Sequence, residues 1–437
     1  MNQPDLSPLS SARLAHNDDW RLCPARQNLP RRVRLALDMA EEALSAVIQE
    51  RSASPSTPRE RPLLLQKVVT ESALMLRCCA FLGAGDRDGA ERNERLVARL
   101  APLARSDRIR ASLCREPAHA IEHATAHVIL SDLGDTDEAF DRLLAHVLDS
   151  DEGAAGDRTA GQDLERHWLL QLRGAATLES AEFELLDRSV AGRPLDVLHA
   201  SSGDLYDFTH VLMHATDMGQ RAVAWPRGHA PLLADAEAAI ALALDADNLD
   251  LVAEVLWTWP MADLAWTPAA EFAFELLTRV QDEHGYLPGP EHPRGSVSDA
   301  ERPWSLYVLR TSYHATYAMG LLCAAMLRTR PVTPPKAAAP GMGALKAIEL
   351  IMQLLDREGR QPRWIKAIGQ LAPARRVALA PLLMTAALRR ATAVSDFERL
   401  RECLRIGLDY DLTDGLAFGQ GLRMLERATL FARRWRS

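Results

Sequence analysis

Apolar residues recur at three- and four-residue steps along almost the whole chain, and this period constrains the fold more than any single motif. Segment 33–50 is typical: Val33-Arg34-Leu35-Ala36-Leu37 through Val47-Ile48 keeps one apolar stripe, in a stretch rich in Ala, Leu, Glu and Arg. Those four are strong helix formers, and the stripe is the face a helix buries. The same pattern runs through 63–82, 95–104, 117–133, 137–148, 164–173, 204–218, 232–244, 249–259, 269–283, 304–328, 343–356, 376–394, 396–407 and 415–433. Long stretches lack both the β-branched enrichment and the period-two alternation that strands require. The expectation is an all-α protein.

Punctuation agrees. Pro117 and Pro303 suit first-turn positions, where a missing N–H costs nothing. Gly134 and Gly219 fall where a left-handed C-cap is wanted. Asp247-Asn248 separates two apolar runs and can cap a helix beginning near Leu249. Four polar interruptions stand out: 51–62, 150–162, 284–303 and 329–342. The last is rich in Pro and Ala and reads as a linker. The expected organisation is a flexible arm at 1–30, a main helical domain at 31–328, a linker at 329–342 and a C-terminal helical segment at 343–437. The segment 284–303 is long for a plain connector, which suits a lid or pocket rim.

The tripeptide His-Ala-Thr occurs three times, at His123, His214 and His314, 91 and 100 residues apart. Chance would give roughly 0.1 occurrences, so an internal repeat is a fair reading. Spacings near 95 fit two helical hairpins of about 45–50 residues each, the unit of stacked-helix architectures. The fold expected is therefore a helical-hairpin α/α toroid or tight solenoid, with a C-terminal helical bundle. Closed into a toroid, alternate helices would turn one histidine each toward a common axis.

Two copies carry more candidates in helical register. His119, His123 and His127 recur every fourth residue, and His210 lies one turn before His214. A His-x3-His pair can grip one metal ion, because adjacent turns place both imidazoles on one side. The expected metal ligands are His123, His214, His314 and His210, holding a transition metal ion: zinc, iron or copper. Magnesium and calcium prefer oxygen. The expected catalytic groups are His210, Tyr313 and Asp217, as proton-transfer and orienting residues near that ion. The competing assignments are a solvated helix face or histidines bonded within a core.

Asp245-Ala246-Asp247-Asn248 is similar to the acidic Asp-x-Asp-Asp motif of class II terpene cyclases, which also use α/α barrels. The final Asp is missing, and Asp and Asn at a helix-to-helix turn are equally expected as caps. Phe272 through Tyr286 likewise resembles the helix-then-glycine repeats of that superfamily, over some 15 residues of one repeat. The cluster Trp257, Trp259 and Trp266 suits a core better than a cation cage. Arg423, Arg427, Arg433, Arg434 and Arg436 suit a solvated helix end that complements the helix dipole.

Lys+Arg 51 against Asp+Glu 59 gives net −8, which argues against nucleic acid as the main partner. No run of 18 apolar residues suggests a membrane span. The N-terminus lacks a secretory signal and six scattered cysteines form no disulfide framework, so a cytoplasmic protein is expected. Function then divides in two. One reading is an enzyme, an oxidoreductase, lyase or cyclase acting on a small-molecule substrate in a histidine-lined pocket. The other is a helical-repeat scaffold that binds a protein partner without catalysis.

Overall fold

The computed structural model describes residues 28–52, 64–83, 87–154, 157–175, 179–290, 304–329, 342–357, 359 and 362–434. Among them the protein is all-α, with no strand. The first fifteen α-helices are α1 (Leu29–Ser52), α2 (Leu65–Cys79), α3 (Arg87–Ala104), α4 (Asp107–Arg115), α5 (Ala120–His123), α6 (Thr125–Asp132), α7 (Glu138–Leu148), α8 (Asp151–Ala154), α9 (Ala160–Leu172), α10 (Glu179–Arg188), α11 (Ser202–Ala215), α12 (His229–Asp245), α13 (Leu249–Met261), α14 (Pro268–His284) and α15 (Leu306–Arg328). Six follow: α16 (Met342–Asp356), α17 (Arg363–Gly369), α18 (Pro373–Ala378), α19 (Ala380–Ala393), α20 (Phe397–Asp409) and α21 (Leu416–Arg434).

Local chemistry sets the helix ends. Asn248 caps α13, its Oδ1 accepting from the Leu251 N–H at 3.2 Å. Reciprocal capping boxes, Thr159 with Gln162 and Ser201 with Asp204, open α9 and α11. Gly285 closes α14 at φ 76°. One expected helix is broken. Segment 117–133 is a 3-10 turn at Pro117–His119, then α5, then α6, with non-helical backbone at His119 and Ala124. The stripe His119, His123, His127 therefore does not share one face. His119 is exposed, His123 is half-buried and His127 is buried between Arg105 and Asp141. Four helices, α4, α8, α10 and α17, were not expected. In α4 the apolar stripe is only Ile109 and Leu113 among charged residues, too narrow a signal.

Packing gives the helices an order. Helix α2 packs on α6, α6 on α9, α9 on α11, α11 on α13, α13 on α15, and α15 back on α2. Helix α1 lies along α15 and α2, α10 along α9 and α11, and α12 and α14 along α13. The tightest seam is α1 against α15, and Gly320 explains it. A Cβ there would overlap the Ala36 Cβ and come within 2.8 Å of the Met75 Cε. Ala36 cannot move without its backbone. Gly320→Ala therefore lowers stability by about 1–2 kcal/mol, although the helix propensity of Ala alone would raise it by about 1. Equilibrium urea denaturation measures this, and a stabilised variant would show that the seam is loose.

The C-terminal helices dock on the outside of this arrangement. Helix α19 packs on α12, α16, α20 and α21, and α18 on α14. Polar ties cross the seam: Arg390 to Asp245, Arg363 to Asp247 at 3.2 Å, and Gln420 Nε2 to the Leu195 carbonyl at 2.6 Å. The linker expected at 329–342 lies outside the described residues except for its ends, as does the arm at 1–30 except for 28–30. Of the segment 284–303, residues Tyr286–Gly289 are buried against α15, the Leu287 N–H donating to Thr316 and the Gly289 N–H to Ser312. That part is packed structure rather than a lid. Residues 291–303 lie outside the described residues. The tryptophans are core: Trp257 and Trp259 are fully buried, and Trp259 meets Trp266 at 6.3 Å. No helix among the described residues is long and apolar enough to cross a membrane.

Candidate functional site

Every residue of α13 is buried, and Asp250 and Glu254 are its only charged side chains. One helical turn apart, they point the same way. Burying two carboxylates costs several kcal/mol each unless partners compensate. Two neighbouring helices supply those partners. From α11, the Tyr206 hydroxyl donates to Asp250 Oδ2 at 2.8 Å, and the Thr209 hydroxyl donates to Glu254 Oε2 at 2.8 Å. Asn248 Nδ2 donates in turn to the Tyr206 oxygen at 3.3 Å.

From α15 comes His314. Its Nε2 lies 3.3 Å from Glu254 Oε1 and 3.5 Å from Asp250 Oδ2. Its Nδ1 faces Glu71 Oε2 of α2 at 3.1 Å, a bent contact in which neither atom has another hydrogen-bond partner. Asp250 Oδ1 is sealed from solvent and has no hydrogen-bond donor. Tyr313, buried beside His314, lies close enough to Glu71 to share a hydrogen bond, and burial holds its phenol well above the usual range.

The electrostatics follow from this crowding. Burial raises the Asp250 carboxyl to about 6, against the pull of His314. Burial also opposes ionisation of Glu254, but the hydrogen bond and charge of His314 outweigh it and hold Glu254 low. For His314, burial favours the neutral ring, yet Asp250, Glu71 and Glu254 raise it well above 6.5. The imidazole can thus sit between carboxylates as a cation, or give its Nε2 lone pair to another positive charge.

The expected metal set is not assembled. Asp250, Glu254 and His314 are the group with metal-compatible spacing among the described residues, and two of these were not foreseen. His314 is the shared member. His210 reaches the edge of the site, its Nε2 3.9 Å from Glu254, and is 53% exposed. His214 instead stacks on Trp168 at 5.2 Å, and burial together with His210 pushes it down to about 3. His123 spends both ring nitrogens elsewhere, on Gln66 at 2.9 Å and Glu116 at 3.0 Å. Asp217, expected as catalytic, is consumed structurally: it accepts from the Trp168 indole at 2.7 Å and pairs with Arg77 at 2.8 Å.

The His-Ala-Thr repeat has a packing reason. All three alanines and all three threonines are buried. The Thr125 and Thr216 hydroxyls bond back to Glu122 and Leu212 carbonyls, and Thr316 accepts from Leu287. The acidic Asp-x-Asp-Asn motif also proves structural. Asp245 and Asp247 hold Arg390 and Arg363, and Asn248 caps α13 while steadying Tyr206.

The missed residues had a legible signal. Two acids in an otherwise apolar helix must be paired or functional. Glu71 carried no such mark, because α2 alternates polar and apolar faces.

Neither curated proteins nor solved structures yield a match. Residues 33–324, which run from within α1 to within α15 and hold Glu71, Tyr206, Thr209, Asp250, Glu254 and His314, match the family described as "Domain of unknown function (DUF6895)". That match covers well over half of the sequence, and the chain belongs to this family.

Proposed function

We propose that this protein is a metal-dependent enzyme acting on a small organic substrate, with the ion held by Asp250, Glu254 and His314. The observation that carries the reading is the trio itself, two buried carboxylates and a half-buried histidine, whose ligand atoms lie within 4.8 Å of one another. Tetrahedral bonds of about 2.0–2.1 Å separate neighbouring donors by about 3.4 Å. The distances from His314 Nε2 are 3.3 and 3.5 Å. A charge-assisted hydrogen bond would close to about 2.7–2.9 Å instead.

The surroundings agree with that reading. Metal-bound histidines donate their other nitrogen to a carboxylate, and Glu71 stands at Nδ1. The ligating carboxylates would be steadied by Tyr206 and Thr209. The orphaned Asp250 Oδ1 supplies a lone pair that nothing else uses. Two carboxylates and one imidazole suit zinc or iron better than copper. Three protein ligands leave a position for water or a substrate carbonyl, which the ion polarises. Tyr313 holds a proton near Glu71, and His210 stands at the exposed edge of the site. Zinc would support lyase or hydrolytic chemistry, and iron would support an oxidoreductase.

The cyclic order of α2, α6, α9, α11, α13 and α15 supports an α/α toroid with these six as its inner ring. Asp250 lies in the first turn of α13, where the helix dipole favours a carboxylate. The test is metal titration of stripped protein with Zn²⁺ and Fe²⁺, followed by calorimetry. One ion per chain is expected. His314→Ala abolishes that binding and His123→Ala leaves it intact. Absence of stoichiometric binding, or equal loss in both variants, overturns the reading.

A further inference from the structure

A cavity of about 320 Å³ opens between the start of α2, residues 116–123 and the first turns of α9. Every side chain on its wall is polar, and none is Phe, Tyr or Trp. Its charges are unevenly matched. Glu116 is taken by His123, and the other nitrogen of His123 by Gln66. Glu122 faces Arg158 at 3.5 Å, but both Glu122 oxygens are sealed from solvent without a hydrogen-bond donor. Arg158, only 5% exposed, directs its Nη2 at the Ala118 carbonyl. Among the described residues no cation pairs with Glu165, and its charged neighbour across the cavity is Glu122. The wall therefore carries three carboxylates, Glu116, Glu122 and Glu165, against the one guanidinium of Arg158, together with two oxygens that lack donors.

We propose that this cavity binds a small organic cation, through a primary ammonium or guanidinium group paired with Glu165 in the field of Glu122. Each alternative ligand fails on a wall feature. An anion would meet the surplus carboxylates. A quaternary ammonium needs aromatic faces and has no N–H to offer. A metal ion needs ligand atoms in one tight group, and the group of that kind among the described residues lies elsewhere. A cation with N–H donors supplies the missing charge and can hydrogen-bond Glu165, and charge-assisted bonds are about twice as strong as neutral ones. The proposal does not depend on the metal reading, because the two sites share no residue.

Protonation gives the test its sign. Burial first, and then the Glu122 charge, push Glu165 up to about 7. The titratable groups facing it across the cavity are Glu116, His119, Glu122, His123 and Arg158, and α2 faces it with Gln66. Helices α6, α10 and α11, on the other flanks of α9, contribute nothing to the wall. Binding a cation requires the ionised carboxylate, so affinity must rise with pH and protons must be released. With a midpoint of about 7, the ionised fraction climbs from about 0.1 at pH 6 to about 0.9 at pH 8.

The probe is agmatine, which carries both groups, with 1,4-butanediol as the neutral control and succinate as the anionic one. Calorimetry on the full chain is expected to show agmatine binding about tenfold tighter at pH 8 than at pH 6. In buffers of different ionisation enthalpy it should show proton release. Glu165→Gln, which mimics the protonated acid in shape, should weaken agmatine at least tenfold at pH 8 and erase the pH dependence. His314→Ala should leave binding unchanged, separating this site from the metal centre. A thermal melt of Glu165→Gln at or above wild type shows that the loss is not misfolding. Failure of agmatine to bind, equal binding of butanediol, or a Glu165→Gln variant that binds as before would each overturn the proposal.

Discussion

Replacing Arg390 by leucine is expected to lower the unfolding free energy by about 3–5 kcal/mol. The guanidinium is 4% exposed and grips Asp245 through Nε and Nη2, at 2.6–3.1 Å. Its Nη1 also donates to the Leu355 carbonyl at 2.6 Å. Leucine would leave the Asp245 carboxylate at the end of α12 without its buried counter-charge, and the Leu355 carbonyl without this donor. The cost comes from those abandoned partners rather than from the pair itself. Asp245→Asn combined with Arg390→Leu should therefore recover a substantial part of the loss, since no charge is then stranded. Urea denaturation followed by tryptophan fluorescence measures both variants. A loss below about 1 kcal/mol for Arg390→Leu would mean that water reaches the seam and screens Asp245.

The same pair shows how far the sequence could be read. Asp245 and Asp247 were visible as an acidic motif next to an Asn, and cap chemistry correctly placed a turn there. Nothing local could reveal that Asp245 faces an arginine 145 residues later, because long-range ion pairs leave no periodic trace. Helix identity was legible for the opposite reason. A buried stripe repeats every turn within one segment, as in α1, α12 and α15. Where the stripe was narrow, as in α4, or where the backbone breaks at Ala124, the reading failed.

The histidines divide along the same line. A His-x3-His spacing assumes an unbroken helix, and the breaks at His119 and Ala124 remove that assumption for the first set. His214 is on a continuous helix, yet Trp168, from another part of the chain, covers it. His314 was correctly singled out, but for its repeat rather than its environment. The environment was written in α13: a carboxylate pair one turn apart in a helix with no polar face to carry it. Histidine is conspicuous by rarity, whereas Asp and Glu are common, and only their setting makes them informative.

That setting leads to a ranked expectation for metal affinity. Glu254→Gln and Asp250→Asn keep shape and hydrogen bonding but remove the ligand charge, and each should abolish measurable Zn²⁺ binding. Glu71→Gln and Tyr206→Phe touch no ion, and should weaken it by about 10–100-fold through the orientation of His314 and Asp250. Asp217→Asn should leave metal affinity unchanged, because Asp217 holds Arg77 and Trp168 on the far side of His214. Competition against a chromophoric chelator resolves all five variants on one scale. The order matters more than any single value. If the carboxylates serve only to hold a protonated His314, Glu254→Gln would act no differently from Glu71→Gln, since both remove one charge from the same imidazolium. A separation of two or more decades between them requires a second positive charge bound by Asp250 and Glu254 and not by Glu71. Equal values would leave His314 as the cation the three carboxylates surround.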